Sequence, residues 1–151
     1  MIEIENMPHI EYRMGTFNDV LIINQQMPEF DDRTTRAVLE VRLANRDYRL
    51  LVAYVDDMPV GYQLVYALSA TESYLWLAGV CPDYRQYGIA TALRTQQEFW
   101  AKGQGYQQMR VKSMNRYPAM LQLLIRSGYQ IDGYEDAGSS HNSKICFCKA
   151  L

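Results

Sequence analysis

Histidine, cysteine and excess charge are all scarce in this sequence of 151 residues. It contains two histidines and three cysteines, and its formal net charge is −2. Three cysteines cannot all pair with one another, which is typical of a reduced, cytoplasmic protein rather than a disulfide-stabilised secreted one. We therefore expect free thiols at Cys81, Cys146 and Cys148.

The same scarcity argues against a metal site. Cys146 and Cys148 would share one face of a strand, and with nearby His141 they could supply part of a site. A structural zinc ion is held by four ligands, however, and the other histidine and cysteine lie far away in the sequence. We expect no metal cofactor.

Basic residues are not in excess either, since 15 lysines and arginines face 17 aspartates and glutamates. A nucleic-acid partner is therefore not expected. No apolar run approaches the ~20 residues needed to span a bilayer. Residues 1–13 lack both the basic start and the apolar centre of a signal peptide. We expect a cytoplasmic protein without a membrane partner, and the sequence leaves a homodimer open.

What the sequence does contain is an ordinary globular composition, with 48% hydrophobic and 21% charged residues. A chain of this length can bury a sizeable core. No internal repeat or linker divides it. We therefore predict one domain over residues 1–151.

Apolar periodicity predicts the element order β-α-α-β-β-β-α-β-α-β-β. Strand-like runs occupy residues 10–14, 50–55, 60–68, 74–80, 106–113, 129–135 and 144–151. Helical spacing runs from Thr16, which with Asp19 forms a predicted capping box, and recurs at residues 34–45, 88–102 and from Pro118. The strand–helix–strand unit over residues 74–113 implies two parallel strands among antiparallel ones. The fold class is therefore α/β with a mixed (α+β) sheet.

Residues Arg85–Ala90, which we call the glycine turn, join a predicted strand to a predicted helix. Glycine has no Cβ to keep a ligand away from the backbone at Gly88. The N–H groups of the first helical turn have no partner inside the helix and carry the positive end of its dipole. Arg85 adds a guanidinium suited to phosphate oxygens. The sequence therefore predicts a phosphate-binding turn.

The sequence Arg85-Gln86-Tyr87-Gly88-Ile89-Ala90 resembles the R/Q-x-x-G-x-G/A signature of the GNAT superfamily of acyl-CoA-dependent N-acetyltransferases. Val80 and Pro82 precede it as in many members of that family. Asn115, a short helix and Gly128-Tyr129 resemble the family's Asn…helix…Gly-Phe/Tyr segment. The resemblance covers roughly residues 10–136, and the predicted element order is that of the GNAT fold, in which the two central parallel strands splay apart.

The resemblance implies that acetyl-CoA is the cosubstrate and that its pantetheine arm lies between the two splayed strands. It implies that the backbone of Ala78 and Val80 pairs with that arm and that Asn115 lies beside it. The amides that would hold the pyrophosphate belong to Arg85, Gln86, Tyr87, Gly88, Ile89 and Ala90. The implied acceptor is a primary amine of a small molecule, a peptide or a protein.

The catalytic groups common in that family are absent here. Many members use a carboxylate on the strand before the glycine turn as base, and a tyrosine four residues before the Gly-Phe/Tyr pair as acid. The predicted strand 74–80 has no carboxylate, and Leu124 stands at the tyrosine position. The remaining candidates are Tyr117 as acid, and Glu72 and Glu135 as bases, with Tyr74 as a further group that could help to remove the proton. Each also fits a purely structural role at a helix start or a strand end.

Three alternatives stay open. The missing tyrosine and carboxylate fit a catalytically silent acyl-CoA-binding module or sensor. Cys81 next to the turn fits either an acyl-accepting nucleophile or a small buried residue, and the second interpretation is favoured because no histidine is near it in sequence. The acidic, aromatic segment Glu29–Asp32 predicts either a wall that attracts a cationic acceptor or a solvated loop.

Overall fold

The computed structural model describes residues 7–29 and 33–151. Phe30, Asp31 and Asp32, which form most of the predicted acidic acceptor wall, lie outside these residues. In the described ranges, no helix is both long enough and apolar enough to cross a membrane.

The predicted order of strands and helices is confirmed. The strands are β1 (Glu11–Met14), β2 (Tyr48–Val55), β3 (Met58–Ala67), β4 (Glu72–Val80), β5 (Gln108–Met114), β6 (Gln130–Glu135) and β7 (Lys144–Ala150). The helices are α1 (Phe17–Gln25), α2 (Arg36–Leu43), α3 (Ile89–Gly103) and α4 (Pro118–Arg126). Most boundaries lie within two residues of the prediction, because apolar periodicity locates the middle of an element better than its ends.

The strands form one seven-stranded sheet in the order β1-β2-β3-β4-β5-β7-β6. The ladders β1–β2, β2–β3, β5–β7 and β6–β7 are antiparallel. The predicted parallel pair is β4 with β5, and its ladder joins the first four residues of each strand, Glu72–Leu75 with Gln108–Val111. The mixed α/β architecture is therefore confirmed.

The chain divides into two compact units, residues 1–66 with 77–97, and residues 67–76 with 98–151. The expectation of a single domain over residues 1–151 stays a prediction.

The first unit is organised by an apolar cluster between β2, β3, the end of β4 and the start of α3. Its buried members are Leu51, Ala53, Val55, Val60, Val80, Ile89 and Leu93. The predicted capping box is confirmed: Asp19 N donates to Thr16 Oγ1 and Thr16 N donates to Asp19 Oδ2. The hydroxyl of Tyr54 on β2 also donates to Asp19 Oδ2, at 2.6 Å. One carboxylate therefore both starts α1 and attaches it to the sheet.

The second unit buries the apolar side of β5 and β7. Met109, Val111 and Phe147 are almost fully buried, as are Leu124 of α4 and Tyr129. At its edge, Glu98 of α3 accepts hydrogen bonds from Lys149 Nζ at 2.5 Å and from the Tyr129 hydroxyl at 3.3 Å. The opposite side of these strands carries the charged residues described below.

Candidate active site

Between β4 and α3 the chain forms a 3₁₀ helix, Pro82–Tyr87, where a simple turn was predicted. Proline at its first position supplies a fixed φ that suits a helix start. Cys81 begins the segment, since its carbonyl accepts from Tyr84 N at 2.9 Å. The N–H of Cys81 donates to Val60 O on β3 at 2.8 Å. The entry to the glycine turn is therefore tied to the sheet.

Gly88 joins the 3₁₀ helix to α3 in a left-handed conformation, with φ 73° and ψ 19°. Apart from Gly88 itself and its two chain neighbours, no described residue has a heavy atom within 4 Å of the position where a Cβ would be. The backbone conformation, rather than a steric clash within the protein, is therefore what requires glycine here. Open space remains on this side of the turn.

The first turn of α3 begins directly after that glycine. The earliest helical hydrogen bond runs from Ala92 N to Gly88 O at 3.0 Å. The N–H groups of residues 88–91 therefore precede the repeating bonds of the helix. Together with the dipole of a 15-residue helix, they provide a site suited to an anion.

Some residues of the glycine turn pack against the protein core, and others are exposed to solvent. Ile89 is 1% exposed and belongs to the apolar cluster, with Tyr87 and Ala90 packed against that cluster. Arg85, Gln86 and Gly88 are exposed. Because the side chain of Ile89 is buried, this residue could contact a ligand through its backbone N–H.

Arg85 was predicted to offer its guanidinium to phosphate, and the structure gives that guanidinium two protein partners. Its Nε donates to Val80 O, the last carbonyl of β4, at 3.0 Å. Its Nη2 donates to the carboxylate of Glu29, which follows α1. Glu29 is a neighbour of the turn that sequence reasoning missed, because 56 residues separate it from Arg85.

The end of β4 is close to the segment that follows α1. A Cβ on Gly79 would lie 2.6 Å from Met27 Sδ and 3.3 Å from a ring atom of Tyr62. The hydroxyl of Tyr62 donates to Asn24 Oδ1 at 2.9 Å. Gly79 was not singled out from the sequence, although a glycine inside a strand is a known signal of close approach. Ala78 is half-buried and the Val80 side chain is buried.

Asn115, predicted to lie beside pantetheine, follows β5 and is exposed. Its Nδ2 donates to Ser140 O at 3.0 Å. Ser140 belongs to the connection between β6 and β7, so the amide holds that connection against the end of β5.

Glu72 is the first residue of β4, which corrects the expectation that this carboxylate lies outside the strand. The strand was not predicted to begin at Glu72 because glutamate disfavours strands and the stabilising partner of Glu72 is distant in sequence. Arg110 of β5 donates to the carboxylate of Glu72, and also to Asp132 Oδ2 at 2.9 Å. These two acceptors raise the pKa of Arg110 above its usual value. Glu72 is therefore part of a three-residue charge network.

Glu135 ends β6 and accepts a hydrogen bond from Lys112 Nζ at 2.6 Å. This bond and the charge of the ammonium lower the pKa of Glu135 and raise that of Lys112. Arg110 and Lys112 are two residues apart on β5 and thus share one side of the sheet. Both candidate bases therefore lie on that side, and Tyr74 joins them with its ring centroid 6.0 Å from Lys112 Nζ.

Tyr117 stands apart from both carboxylates in its contacts. It precedes α4 at the cap position, and its side chain is 38% exposed. The guanidinium of Arg116 lies 5.4 Å from the centroid of its ring. Leu124, at the position where a family tyrosine was sought, is 2% exposed and packs in the core.

The three thiols are free, as expected. Cys81 is 2% exposed, and burial raises its pKa, so it is a poor nucleophile. Burial likewise raises the pKa of Cys146 and of Cys148. Within residues 7–29 and 33–151, no three histidine, cysteine, aspartate or glutamate side chains are grouped so as to hold a metal ion.

Solved structures with the same fold cover almost the whole chain. The ribosomal-protein-S18-alanine N-acetyltransferase from Escherichia coli has a TM-score of 0.81 and 13% identity, covering 95% of this chain and 94% of its own. A GNAT family acetyltransferase from Elizabethkingia anophelis with acetyl-CoA bound has a TM-score of 0.74 and 14% identity, covering 94% and 98%. PaiA N-acetyltransferase from Thermoplasma acidophilum in complex with coenzyme A has a TM-score of 0.72 and 16% identity, covering 95% and 99%.

At these identities the likeness establishes the fold alone. No curated protein matches the sequence. The profile of the family described as "Acetyltransferase (GNAT) domain" matches residues 21–111, which is more than half of the chain and includes the glycine turn. The chain therefore belongs to the GNAT acetyltransferases.

Proposed function

We propose that this protein transfers an acetyl group from acetyl-CoA to a primary amine by direct attack of the amine on the thioester. The observation that carries the proposal is Gly88, which has a positive φ and open space beside the first turn of α3. This is a backbone arrangement built to face an anion. The coenzyme A and acetyl-CoA complexes of two structures with the same fold support the choice of ligand.

The pyrophosphate of the cofactor would bind the amides of the glycine turn, Arg85–Ala90. The pantetheine arm would pair with the backbone of Ala78 and Val80, and Asn115 would contribute from the end of β5. Asn115 already donates one N–H to Ser140 O, so its contact with the arm would use its other N–H or its carbonyl oxygen.

The N–H of Val80 is the proposed donor to the thioester oxygen. Cys81 N–H points toward β3, where it meets Val60 O. Because N–H groups alternate sides along a strand, the N–H of Val80 points away from β3. A fixed donor at the position where negative charge develops stabilises the transition state without any acidic side chain.

Proton transfer is assigned to the side chains of Glu72, Glu135 and Tyr117. An alkyl ammonium has a pKa of about 10, so the acceptor must lose a proton before it attacks. Glu72 and Glu135 are the proposed bases, acting through water. The lowered pKa of Glu135 weakens it as a base. Tyr117 is the proposed acid for the departing thiolate.

A second function is favoured by Leu124 and by the ion pairs of both carboxylates. A chain that binds acetyl-CoA but lacks a free base and a tyrosine acid would be a silent acyl-CoA-binding module or sensor. The two functions differ in whether an amine is consumed.

We further propose a single domain over residues 1–151 that acts in the cytoplasm, an expectation supported by its three free thiols. The proposed acceptor is a small-molecule or peptide amine. Neither nucleic acid nor a membrane is proposed as a partner, and a homodimer stays open.

Calorimetric titration with acetyl-CoA tests cofactor binding at the glycine turn. Gly88→Asn and Gly88→Asp are a matched pair, because both residues tolerate a positive φ and they differ only by a charge. We expect both variants to bind more weakly than the parent, because a side chain enters the space beside the amides, and we expect the Asp variant to lose about 2 kcal/mol more affinity than the Asn variant through repulsion of the pyrophosphate. Equal affinity for the pair would place the pyrophosphate elsewhere.

A further inference from the structure

Glu29 is the one acidic side chain described in contact with the guanidinium of Arg85. It lies in the connection between α1 and α2, and Arg85 lies in the 3₁₀ helix before Gly88. The contact joins two segments that are 56 residues apart in sequence. A negative charge is therefore paired with the arginine of the glycine turn.

The two bonds of Arg85 differ in how easily a ligand could replace them. The bond from Nε to Val80 O is partly buried and holds the end of β4. The Glu29 side, in contrast, is open to solvent, with 44% of the Arg85 side chain and 34% of the Glu29 side chain exposed. An exposed ion pair of this kind shifts an equilibrium by about fivefold at most.

A phosphate oxygen is a stronger partner for the same guanidinium. The CoA pyrophosphate as a whole carries about two negative charges against the single charge of a carboxylate, and like a carboxylate it fits the planar fork of arginine. It would also be held by the amides of the first turn of α3. Exchange of Glu29 for phosphate on Arg85 is therefore favourable, while the bond to Val80 O is kept.

We propose that Glu29 is a displaceable counter-ion of Arg85, which the pyrophosphate of CoA replaces on binding. This inference rests on the proposed function, because it concerns how that ligand enters the same turn. Two consequences follow. Glu29 lowers the affinity for CoA, since its displacement opposes binding, and CoA binding releases the Glu29 carboxylate from Arg85.

The test is calorimetric titration of the whole protein with CoA at low and at high salt. Glu29→Gln removes the charge and keeps the shape of the side chain. We expect it to tighten CoA binding by about twofold to fivefold at low salt, and by less at high salt because the effect is electrostatic. Asp83→Asn is the control, since Asp83 is an exposed acid of the same 3₁₀ helix; it should change affinity by less than about twofold.

Arg85→Gln supplies the second arm. In that background the added Glu29→Gln change should have no effect on CoA affinity, because the partner that Glu29 occupies is gone. Unchanged or weaker binding by Glu29→Gln in the natural background, or an equal gain from Asp83→Asn, would overturn the inference. The proposed function fails in a different way, namely if the parent protein itself does not bind CoA.

Discussion

Tyr54 shows how one side chain can link a helix start to the sheet. It is 6% exposed, and its hydroxyl donates to Asp19, the acid of the α1 capping box. Burial, with the hydrogen bond and the charge of Asp19, raises the pKa of Tyr54 to about 12. The folded protein therefore favours the neutral phenol.

The sign of the resulting pH dependence follows from that raised pKa. The contribution of Tyr54 to stability is fully present below the unfolded value of about 10. It is lost as the pH rises toward about 12, because the unfolded chain ionises first. We predict that the difference in urea midpoint between the parent and Tyr54→Phe shrinks over this window. Tyr48→Phe is the control, since Tyr48 is 44% exposed, and a constant difference for Tyr54→Phe would contradict the assignment.

Tyr117 is the residue on which the proposed acid step depends. Tyr117→Phe removes only the hydroxyl, so folding should be unaffected because the side chain is partly exposed at the start of α4. If Tyr117 protonates the thiolate, the kcat of Tyr117→Phe should be about a hundredfold below that of the parent, and the basic limb of the pH profile of kcat should disappear. Tyr134→Phe, at a 56% exposed position of β6, is the control. An unchanged kcat and pH profile would remove Tyr117 from the mechanism.

At the scale of elements, substitutions in α4 test whether the protein is an enzyme that has lost the tyrosine found in many GNAT members at the position of Leu124. Leu124 is buried at 2% exposure, while its neighbour Ile125 is 55% exposed. Leu124→Tyr should destabilise the fold by about 1–3 kcal/mol through overpacking and should not raise turnover. Ile125→Tyr should leave the unfolding midpoint nearly unchanged. A large gain in turnover from Leu124→Tyr would identify the natural chain as a degraded enzyme.

The order of the elements could be predicted because its signals are local. Each of these signals spans only a few residues. They are the capping pair Thr16 and Asp19, the apolar spacing in each helix, and the glycine turn. The 3₁₀ helix Pro82–Tyr87 could not be predicted in this way, since so short a segment has no apolar period. The glycine turn is also local, so its position between β4 and α3 could be predicted from sequence.

The side-chain pairs of the candidate site could not be predicted from sequence. Glu72 with Arg110, Asn115 with Ser140 and Arg85 with Glu29 join residues that are 38, 25 and 56 positions apart. Such pairs depend on strand order and on the path of connections, which composition and spacing do not reveal. They are also the contacts that decide which carboxylate is available as a base.

At the scale of the whole molecule, family membership and chemistry rest on different features. The family profile and the fold cover the glycine turn and the sheet. Neither the profile nor the fold identifies the acceptor amine, and both candidate bases, Glu72 and Glu135, are held in ion pairs. The central claim is therefore that this chain consumes an amine, rather than that it only binds acetyl-CoA.

The most direct test measures the release of CoA thiol from acetyl-CoA with and without a panel of primary amines, including polyamines, amino acids and short peptides. Mass spectrometry identifies the acetylated product. We predict thiol release that requires at least one of these amines, matches the acetylated product in amount, and falls further in Gly88→Asp than in Gly88→Asn at a limiting concentration of acetyl-CoA. Acetyl-CoA binding by the parent, with no amine on the panel accelerating thiol release, would contradict the account and establish a silent binding module.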